Sequence, residues 1–279
     1  AGGLGLIGAG SMYPEVLREH IQKCKQATNK PFGVNVPMLY PDIQKIINII
    51  IEEGVKIVFT SAGNPKTWTS FLKEKGITVV HVVSSVKFAL KAELAGVDAV
   101  VCEGFEAGGH NGREETTTFT LIPMVKEQVK IPVIAAGGIG SGRGMLAAMV
   151  LGADGVQIGS RFAATSESSA HQNFKNTIIN VKDGDTQLTL KELAPVRLVK
   201  NKFYNEVQEL YKTKPTLEAL KELLGRARAK KGMFEGDLED GELEIGQIAG
   251  LIHEIKPAKV VLNEIIEEFY LVKSLINSI

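Results

Sequence analysis

Short apolar runs alternate with amphipathic stretches along the first 160 or so residues of the chain. Continuous runs such as "ITVVHVV" and "IPVIAAG" are typical of strands that are buried on both faces. The stretches between the runs carry apolar residues at helical spacing and predict helices. The pattern therefore predicts seven strands, at residues 4–8, 32–36, 56–60, 78–82, 99–102, 133–136 and 155–158.

The junctions between these predicted elements resemble one another. The phrases "EEGVKIV", "EKGITVV", "LAGVDAV" and "LGADGVQ" each join a helical run to a strand through a glycine, as a helix C-cap does. Repeated junctions indicate βα units and a parallel sheet. A closed (β/α)8 barrel needs eight strands, so we expect an α/β fold of the TIM barrel type whose first strand is missing from this chain. Periodicity alone leaves an open doubly wound sheet as the alternative.

The strand rhythm stops after about residue 165. We expect the barrel to occupy residues 1–165 and a helical subdomain to occupy residues 166–279. This subdomain is predicted to cover the mouth of the barrel, with a C-terminal helix that returns to pack on it. Its helices are predicted at residues 188–193, 198–211, 217–230, 245–252 and 258–276.

Composition removes several classes of function. The 32 basic and 32 acidic residues balance, so no overall field favours nucleic acid or an anionic membrane. Cys24 and Cys102 lie far apart, which argues against a disulfide scaffold and suits a reducing cytoplasm. The sequence has no CxxC or His/Cys cluster typical of a zinc site and no apolar run as long as a membrane span. We therefore expect a cytoplasmic protein without a metal, nucleic-acid or membrane site.

Two glycine-rich turns follow the last two predicted strands. They read "GGIGSG" and "GSRF", and in many barrels the turns at these positions hold a phosphate group. Glycines let backbone N–H groups approach phosphate oxygens, and Ser160 adds a hydroxyl donor. Either turn alone could be a plain tight turn, but the pair favours a phosphate site. No GxxxxGK[ST] segment is present, and the match to GxGxxG is poor.

The segment "CEGFEAGGHNG" also follows a predicted strand. A lone histidine in a glycine turn is often only a surface or cap residue. Here Gly108 and Gly109 let the backbone fold close to a ligand, and Glu103 and Glu106 flank the turn as orienting partners or ligand anchors. A histidine at the mouth of a barrel can act as a general acid or base near neutral pH, so His110 is the predicted catalytic residue.

Six segments in order resemble a known family. "AGGLGLIGAG", "KPFGVNVP", "TSAGNP", "EGFEAGGHNG", "IPVIAAGGIGSGRG" and "GADGVQIGSRF" are similar to segments of the FMN-dependent nitronate monooxygenase (2-nitropropane dioxygenase) superfamily. That superfamily includes the flavin-dependent type II enoyl-acyl-carrier-protein reductases of bacteria. The resemblance runs over about residues 1–175, and "EIGQIAGLI" resembles the C-terminal segment of the reductases.

The resemblance implies a barrel with FMN at its mouth. It assigns His110 to catalysis and implies that the two glycine turns hold the phosphate and that Asn35 lies by the flavin ring. A Gly-Gly-Met flavin contact of the family precedes the first segment, so we expect part of the flavin site to lie outside the given chain. The implied FMN-binding residues are Asn35, Glu103, Gly108, Gly109, Ala136, Gly137, Gly138, Ile139, Gln157, Gly159 and Ser160.

Both branches of the superfamily use the histidine motif, so the motif does not decide the activity. The segments "EAGGHNGREETTTFTLIP", "ESSAHQNFK" and "GQIAGLI" are more similar to the reductases. The favoured activity is reduction of trans-2-enoyl-acyl-carrier-protein thioesters by NAD(P)H in bacterial fatty acid synthesis. The alternatives are oxidation of alkyl nitronates with FMN and O2, and a flavin-binding fragment without activity. The resemblance also implies a homodimer and a small-molecule or carrier-protein-bound substrate.

Overall fold

A computed structural model describes residues 1–10, 12–39 and 42–276. The last residues of the predicted helical subdomain, 277–279, lie outside the described part. Seven parallel strands form one curled sheet in which neighbours follow chain order, and this confirms the predicted TIM-like barrel. The strands are β1 (Gly5–Gly8), β2 (Phe32–Pro37), β3 (Ile57–Ser61), β4 (Thr78–Val83), β5 (Ala99–Glu103), β7 (Val133–Ala136) and β8 (Gly155–Gln157).

Both faces of the central strands of this sheet are buried, which explains their continuous apolar runs. Every second side chain, such as Val58 and Val100, packs outward into the main core against the helices. The side chains between them, such as Phe59 and Val101, form a smaller cluster inside the curl of the sheet. Strands of this kind read as unbroken hydrophobic runs because neither face meets water.

Helices follow the strands as predicted. Gly96 and Gly152 end two of them with positive φ angles of 84° and 108°, as C-caps do. Two short 3₁₀ helices cover Pro65–Thr67 and Gln247–Leu251. The α-helices are α1 (Pro14–Ala27), α2 (Ile43–Glu52), α3 (Thr69–Glu74), α4 (Val86–Leu94), α5 (Thr118–Lys126), α6 (Gly142–Val150), α7 (Ser160–Ala163), α8 (Gln172–Asn180), α9 (Lys202–Tyr211), α10 (Leu217–Leu224), α11 (Arg228–Glu235) and α12 (Ala258–Ile276).

A second, antiparallel sheet was missed by the sequence reading. Strands β6 (Gly109–His110), β9 (Thr186–Thr189) and β10 (Val196–Val199) form it, with β10 in the centre. The helix predicted at 188–193 is wrong, and the helix predicted at 198–211 begins only with α9. Apolar runs as short as these are compatible with a strand as well as with a helix. Residues 196–199 form a strand because they pair with both β6 and β9.

Two further helix predictions are corrected in detail. The helix predicted at 217–230 is two helices, because the chain turns at Gly225 and Ala227, which both have a φ of 62°. The helix predicted at 245–252 is the second 3₁₀ helix.

The C-terminal helix α12 packs against α6. Glu268 of α12 accepts a hydrogen bond from the backbone N–H of Gly142 at 2.7 Å and one from Arg143 Nε at 2.9 Å. A carboxylate at the first turn of α6 is electrostatically favourable. The boundary near residue 165 between barrel and subdomain stays a prediction. Across the described residues, no helix has the length and apolar character needed to cross a membrane.

Candidate active site

A cavity of about 280 Å³ lies at the carboxyl ends of β5, β7 and β8. Glu103, Ala136 and Gln157 form one row across these strand ends, because the register pairs Glu103 with Ala136 and Ala136 with Gln157. Carboxyl ends of parallel barrel strands are the usual place for an active site. Of the predicted site residues, those that line the cavity are Glu103, Gly108, Ala136, Gly137, Gly138, Ile139, Gln157, Gly159 and Ser160.

Two polar groups in this row have unusual surroundings. The Oε1 atom of Gln157 is buried and has no hydrogen-bond partner in the described part of the chain. Burial raises the pKa of Glu103 to about 7. Buried hydrogen-bond acceptors are normally paired with a donor. An unpaired amide oxygen beside a carboxyl group with a raised pKa is therefore typical of a site that binds a ligand.

The glycine turn after β7 passes close to other backbone. Gly137 has a φ of 93°, and a Cβ added there would lie 2.8 Å from the carbonyl oxygen of Gly104. A side chain at this position would therefore force the two segments apart. The turn after β8 is open instead, since a Cβ added to Gly159 would meet no protein atom within 4 Å.

Among the described residues, no Lys or Arg lines this cavity. An anionic group bound here would depend on backbone N–H groups of the glycine turns and on the Ser160 hydroxyl. The Ser160 oxygen already accepts a hydrogen bond from the Gly246 N–H at 3.0 Å, and its own O–H remains a donor.

Glu106 ties the loop after β5 to the turn after β7. Its Oε2 accepts hydrogen bonds from the backbone N–H and the hydroxyl of Thr118, both at 3.0 Å. The same hydroxyl lies 2.8 Å from the Gly137 carbonyl oxygen. Glu106 lines the cavity and is held rigidly by these contacts.

Arg197 holds the same loop from the other side. This side chain is 1% exposed, and it donates to the Phe105 carbonyl oxygen from Nε at 3.1 Å and from Nη2 at 3.0 Å. Its guanidinium also stacks on the Phe105 ring, 4.5 Å from the ring centre. The small antiparallel sheet thus fixes the loop that carries His110.

Three predicted site residues do not line the cavity in the described structure. Asn35 lies in β2, in register with Phe59 on the next strand. Gly109 pairs with Arg197 across β6 and β10. His110 follows it at the rim, with 66% of its side chain exposed and its Nδ1 atom 3.6 Å from Oε1 of Glu244.

The sequence reading missed the wall that the C-terminal part of the chain supplies. Burial raises the pKa of Glu244, one of these residues, to about 7. Glu244, Gly246 and Ile248 belong to the segment "EIGQIAGLI", whose resemblance to reductases was the one available signal. Glu106 was predicted as a ligand anchor, and the lining residues that were not predicted are Ala107, Ala163, Phe174, Ile178, Met233, Glu244, Gly246 and Ile248.

Comparison with known proteins agrees with this architecture. The model of the nitronate monooxygenase family matches residues 1–268. The chain belongs to the nitronate monooxygenase family. As a member of this family it is a flavin-dependent oxidoreductase.

Individual relatives extend this result. A probable nitronate monooxygenase of Staphylococcus saprophyticus is 32% identical over 94% of this chain and 87% of its own length. The structure of FabK from Thermotoga maritima superposes with a TM-score of 0.93 at 43% identity, over 100% of this chain and 88% of that one. A nitroalkane oxidase from Streptomyces ansochromogenes has a TM-score of 0.84 at 27% identity, over 99% of this chain and 90% of that one.

Proposed function

We propose that this member of the nitronate monooxygenase family binds FMN in the cavity and uses NAD(P)H to reduce trans-2-enoyl thioesters carried by acyl carrier protein. The observation that carries the proposal is the similarity to the Thermotoga maritima FabK, a type II enoyl reductase by its name. Its 43% identity over the whole chain exceeds the 32% and 27% of the two relatives named for nitronate or nitroalkane oxidation.

The cavity residues fit FMN. The backbone at Gly137, Gly138 and Gly159, together with the Ser160 hydroxyl, would hold the phosphate. The unpaired Oε1 of Gln157 would accept an N–H of the flavin ring. When bound, FMN supplies hydride transfer between the nicotinamide and the substrate.

Glu103, Gly108, Ala136 and Ile139 line the same cavity and would complete the contacts to FMN. For Asn35 and Gly109, the proposed contact rests on the family resemblance.

The chain itself would supply binding, exclusion of water and protons. Phe174, Ile178, Met233 and Ile248 form an apolar side of the cavity, which suits an acyl chain and keeps water away from the reacting carbons. Reduction of an enoyl thioester also needs one proton at the α-carbon. His110, exposed at the rim, is the proposed source of that proton.

A second candidate is oxidation of alkyl nitronates with O2. It is favoured by the Staphylococcus relative, whose name describes this activity and which aligns with 94% of the chain. The fold and the cavity serve either reaction, because both need a flavin and a group that handles one proton.

One assay on the FMN-loaded full-length chain separates the two activities. Consumption of NADH that depends on crotonyl thioester, without uptake of oxygen, is the expected result. Oxygen uptake with propyl-2-nitronate and no need for NADH would contradict it in favour of the second candidate. A colourless preparation that takes up no FMN would contradict both. The homodimer stays a prediction, which sedimentation of the same preparation would test.

A further inference from the structure

Glu244 touches both the cavity and His110. Its carboxyl group lines the cavity, and its Oε1 atom lies 3.6 Å from the Nδ1 atom of His110. His110 itself is exposed and does not line the cavity in the described structure. Glu244 therefore lies between the predicted catalytic histidine and the space in which a substrate would react.

The backbone beside Glu244 leaves room for this contact. A Cβ added to Gly109 would lie 3.3 Å from Oε2 of Glu244, closer than most carbon contacts. With a φ of 80°, Gly109 also has a backbone conformation that side chains rarely adopt. The glycine before His110 thus lets the carboxyl group approach the imidazole.

Glu244 is a buried acid, with 19% of its side chain exposed. Burial raises its pKa to about 7, so the group holds a proton part of the time near neutral pH. Glu242, in the same segment, is close enough to Glu244 for their negative charges to repel, and Glu103 and Glu106 line the same cavity. Arg228 is the cation near this group: its positive charge opposes the rise in the pKa of Glu242, and its Nη1 donates to the Asp240 carbonyl oxygen at 2.7 Å.

We propose that Glu244 is a proton-relay residue that carries a proton from His110 into the cavity. The inference rests on the proposed reduction of enoyl thioesters. The O–H bond of the Glu244 carboxyl breaks, and its proton forms the new C–H bond at the α-carbon of the enolate that is left when hydride adds to the β-carbon of the thioester. The carboxylate then takes the Nδ1 proton of the His110 imidazolium, and water reprotonates the exposed ring. The net change is one proton moved from water to carbon, without electron transfer.

The test compares Glu244→Gln with the matched variant Glu242→Gln in the FMN-loaded full-length chain. Glu242 is also shielded from water, at 7% exposed, and its pKa is also raised to about 7, but it does not line the cavity in the described structure. Glu244→Gln should lower turnover of crotonyl thioester by about 10²-fold, at the low end of general acid–base effects. It should leave reduction of FMN by NADH within about twofold. Glu242→Gln should keep turnover within about threefold.

Chemical rescue adds a readout that a structural role would not move. The exposed position of His110 lets free imidazole replace its ring, so imidazole should restore part of the turnover of His110→Ala. It should not restore the double variant His110→Ala/Glu244→Gln. Turnover of Glu244→Gln within about twofold of the wild type, or rescue of the double variant, would overturn the relay.

A measurement without substrate tests the relay separately from the proposed reduction of enoyl thioesters. Infrared spectra should show protonated carboxyl groups that titrate near pH 7, and Glu244→Gln should remove part of their amplitude. A wild-type enzyme that reduces no enoyl thioester would contradict the proposed function. In that case a band lost in Glu244→Gln still supports proton storage at this position, and an unchanged band overturns the relay.

Discussion

His110 is the predicted catalytic residue of the sequence motif, and the structure places it in an exposed position beside Glu244. General acid–base catalysis is worth typically about 10²–10⁴-fold, so His110→Ala should lower turnover of crotonyl thioester by that range. Since the side chain is 66% exposed, its removal should leave the melting temperature nearly unchanged. Steady-state kinetics and thermal unfolding of the same preparation measure both quantities. Turnover within about twofold of the wild type would refute the catalytic assignment.

His81 makes the stability of the fold depend on pH. It is 4% exposed, its Nδ1 atom lies 2.7 Å from the Thr60 hydroxyl, and burial lowers its pKa to about 4. The unfolded chain binds a proton here near pH 6.5, so the stability that neutral His81 contributes is lost as the pH falls from about 6.5 towards 4. Between pH 7.5 and 5 the loss should be roughly 2 kcal/mol.

The variant His81→Gln isolates this effect. Urea unfolding at the two pH values should show that the variant loses roughly 2 kcal/mol less stability than the wild type. The raised pKa values of Glu103, Glu242 and Glu244 act in the opposite direction, and they are common to both proteins. Equal pH dependence in the two proteins would show that His81 is accessible to protons in the folded state.

Single residues also show what the sequence could reveal about the site. The glycines at 137, 138 and 159 were predictable as site residues because glycine allows the tight turns that bring backbone N–H groups close to a ligand. The place of Glu244 in the site was not predictable from its residue type, because a glutamate in an apolar segment does not indicate which barrel strand the segment will pack against. The exposure of His110 was equally hidden, since it depends on the pairing of β6 with β10.

The contact between α6 and α12 is tight at one residue. A Cβ added to Gly142 would lie 2.3 Å from the backbone nitrogen of Phe269 and 2.4 Å from the carbonyl oxygen of Ile265. Gly142→Ala should therefore push α12 away and cost about 1–3 kcal/mol of unfolding free energy. Gly144 is the matched control in the same helix, because its added Cβ meets its nearest atom at 3.5 Å.

Gly144→Ala should be neutral or stabilise by up to about 1 kcal/mol, as alanine does in a helix. Urea unfolding curves of the two variants measure the difference. If both alanines had the same effect, the close packing of α12 on α6 would be contradicted.

Among the elements, those of the barrel were predictable and those of the small sheet were not. Each barrel strand is a run of apolar residues, and in β3, β4, β5 and β8 this run follows a helix and a glycine. The strands β9 and β10 carry a weaker one: "TQLT" and "VRLV" are four residues each and become strands by pairing with each other and with β6. Local periodicity contains no information about such pairing.

In the whole molecule, two parts of the chain that are distant in sequence build one cavity. The barrel supplies the strand ends at Glu103, Ala136 and Gln157, and the C-terminal part supplies the wall around Glu244 and Ile248. The sequence predicted the first part through its repeats. For the C-terminal part, the sequence predicted only that it covers the mouth of the barrel. Its individual contacts depend on tertiary packing, which local sequence patterns do not contain.

If this cavity is the flavin site, a side chain that fills it should weaken the binding of FMN, and an FMN titration of the full-length chain measures that effect. The open space beside Gly159 admits a side chain without a clash, so Gly159→Ala and Gly159→Leu should both fold with the melting temperature of the wild type. Flavin fluorescence should show FMN affinity reduced less than about tenfold by alanine and more than about 10²-fold by leucine, which fills the space. A leucine variant that binds FMN within about threefold of the wild type would show that FMN does not bind in this cavity.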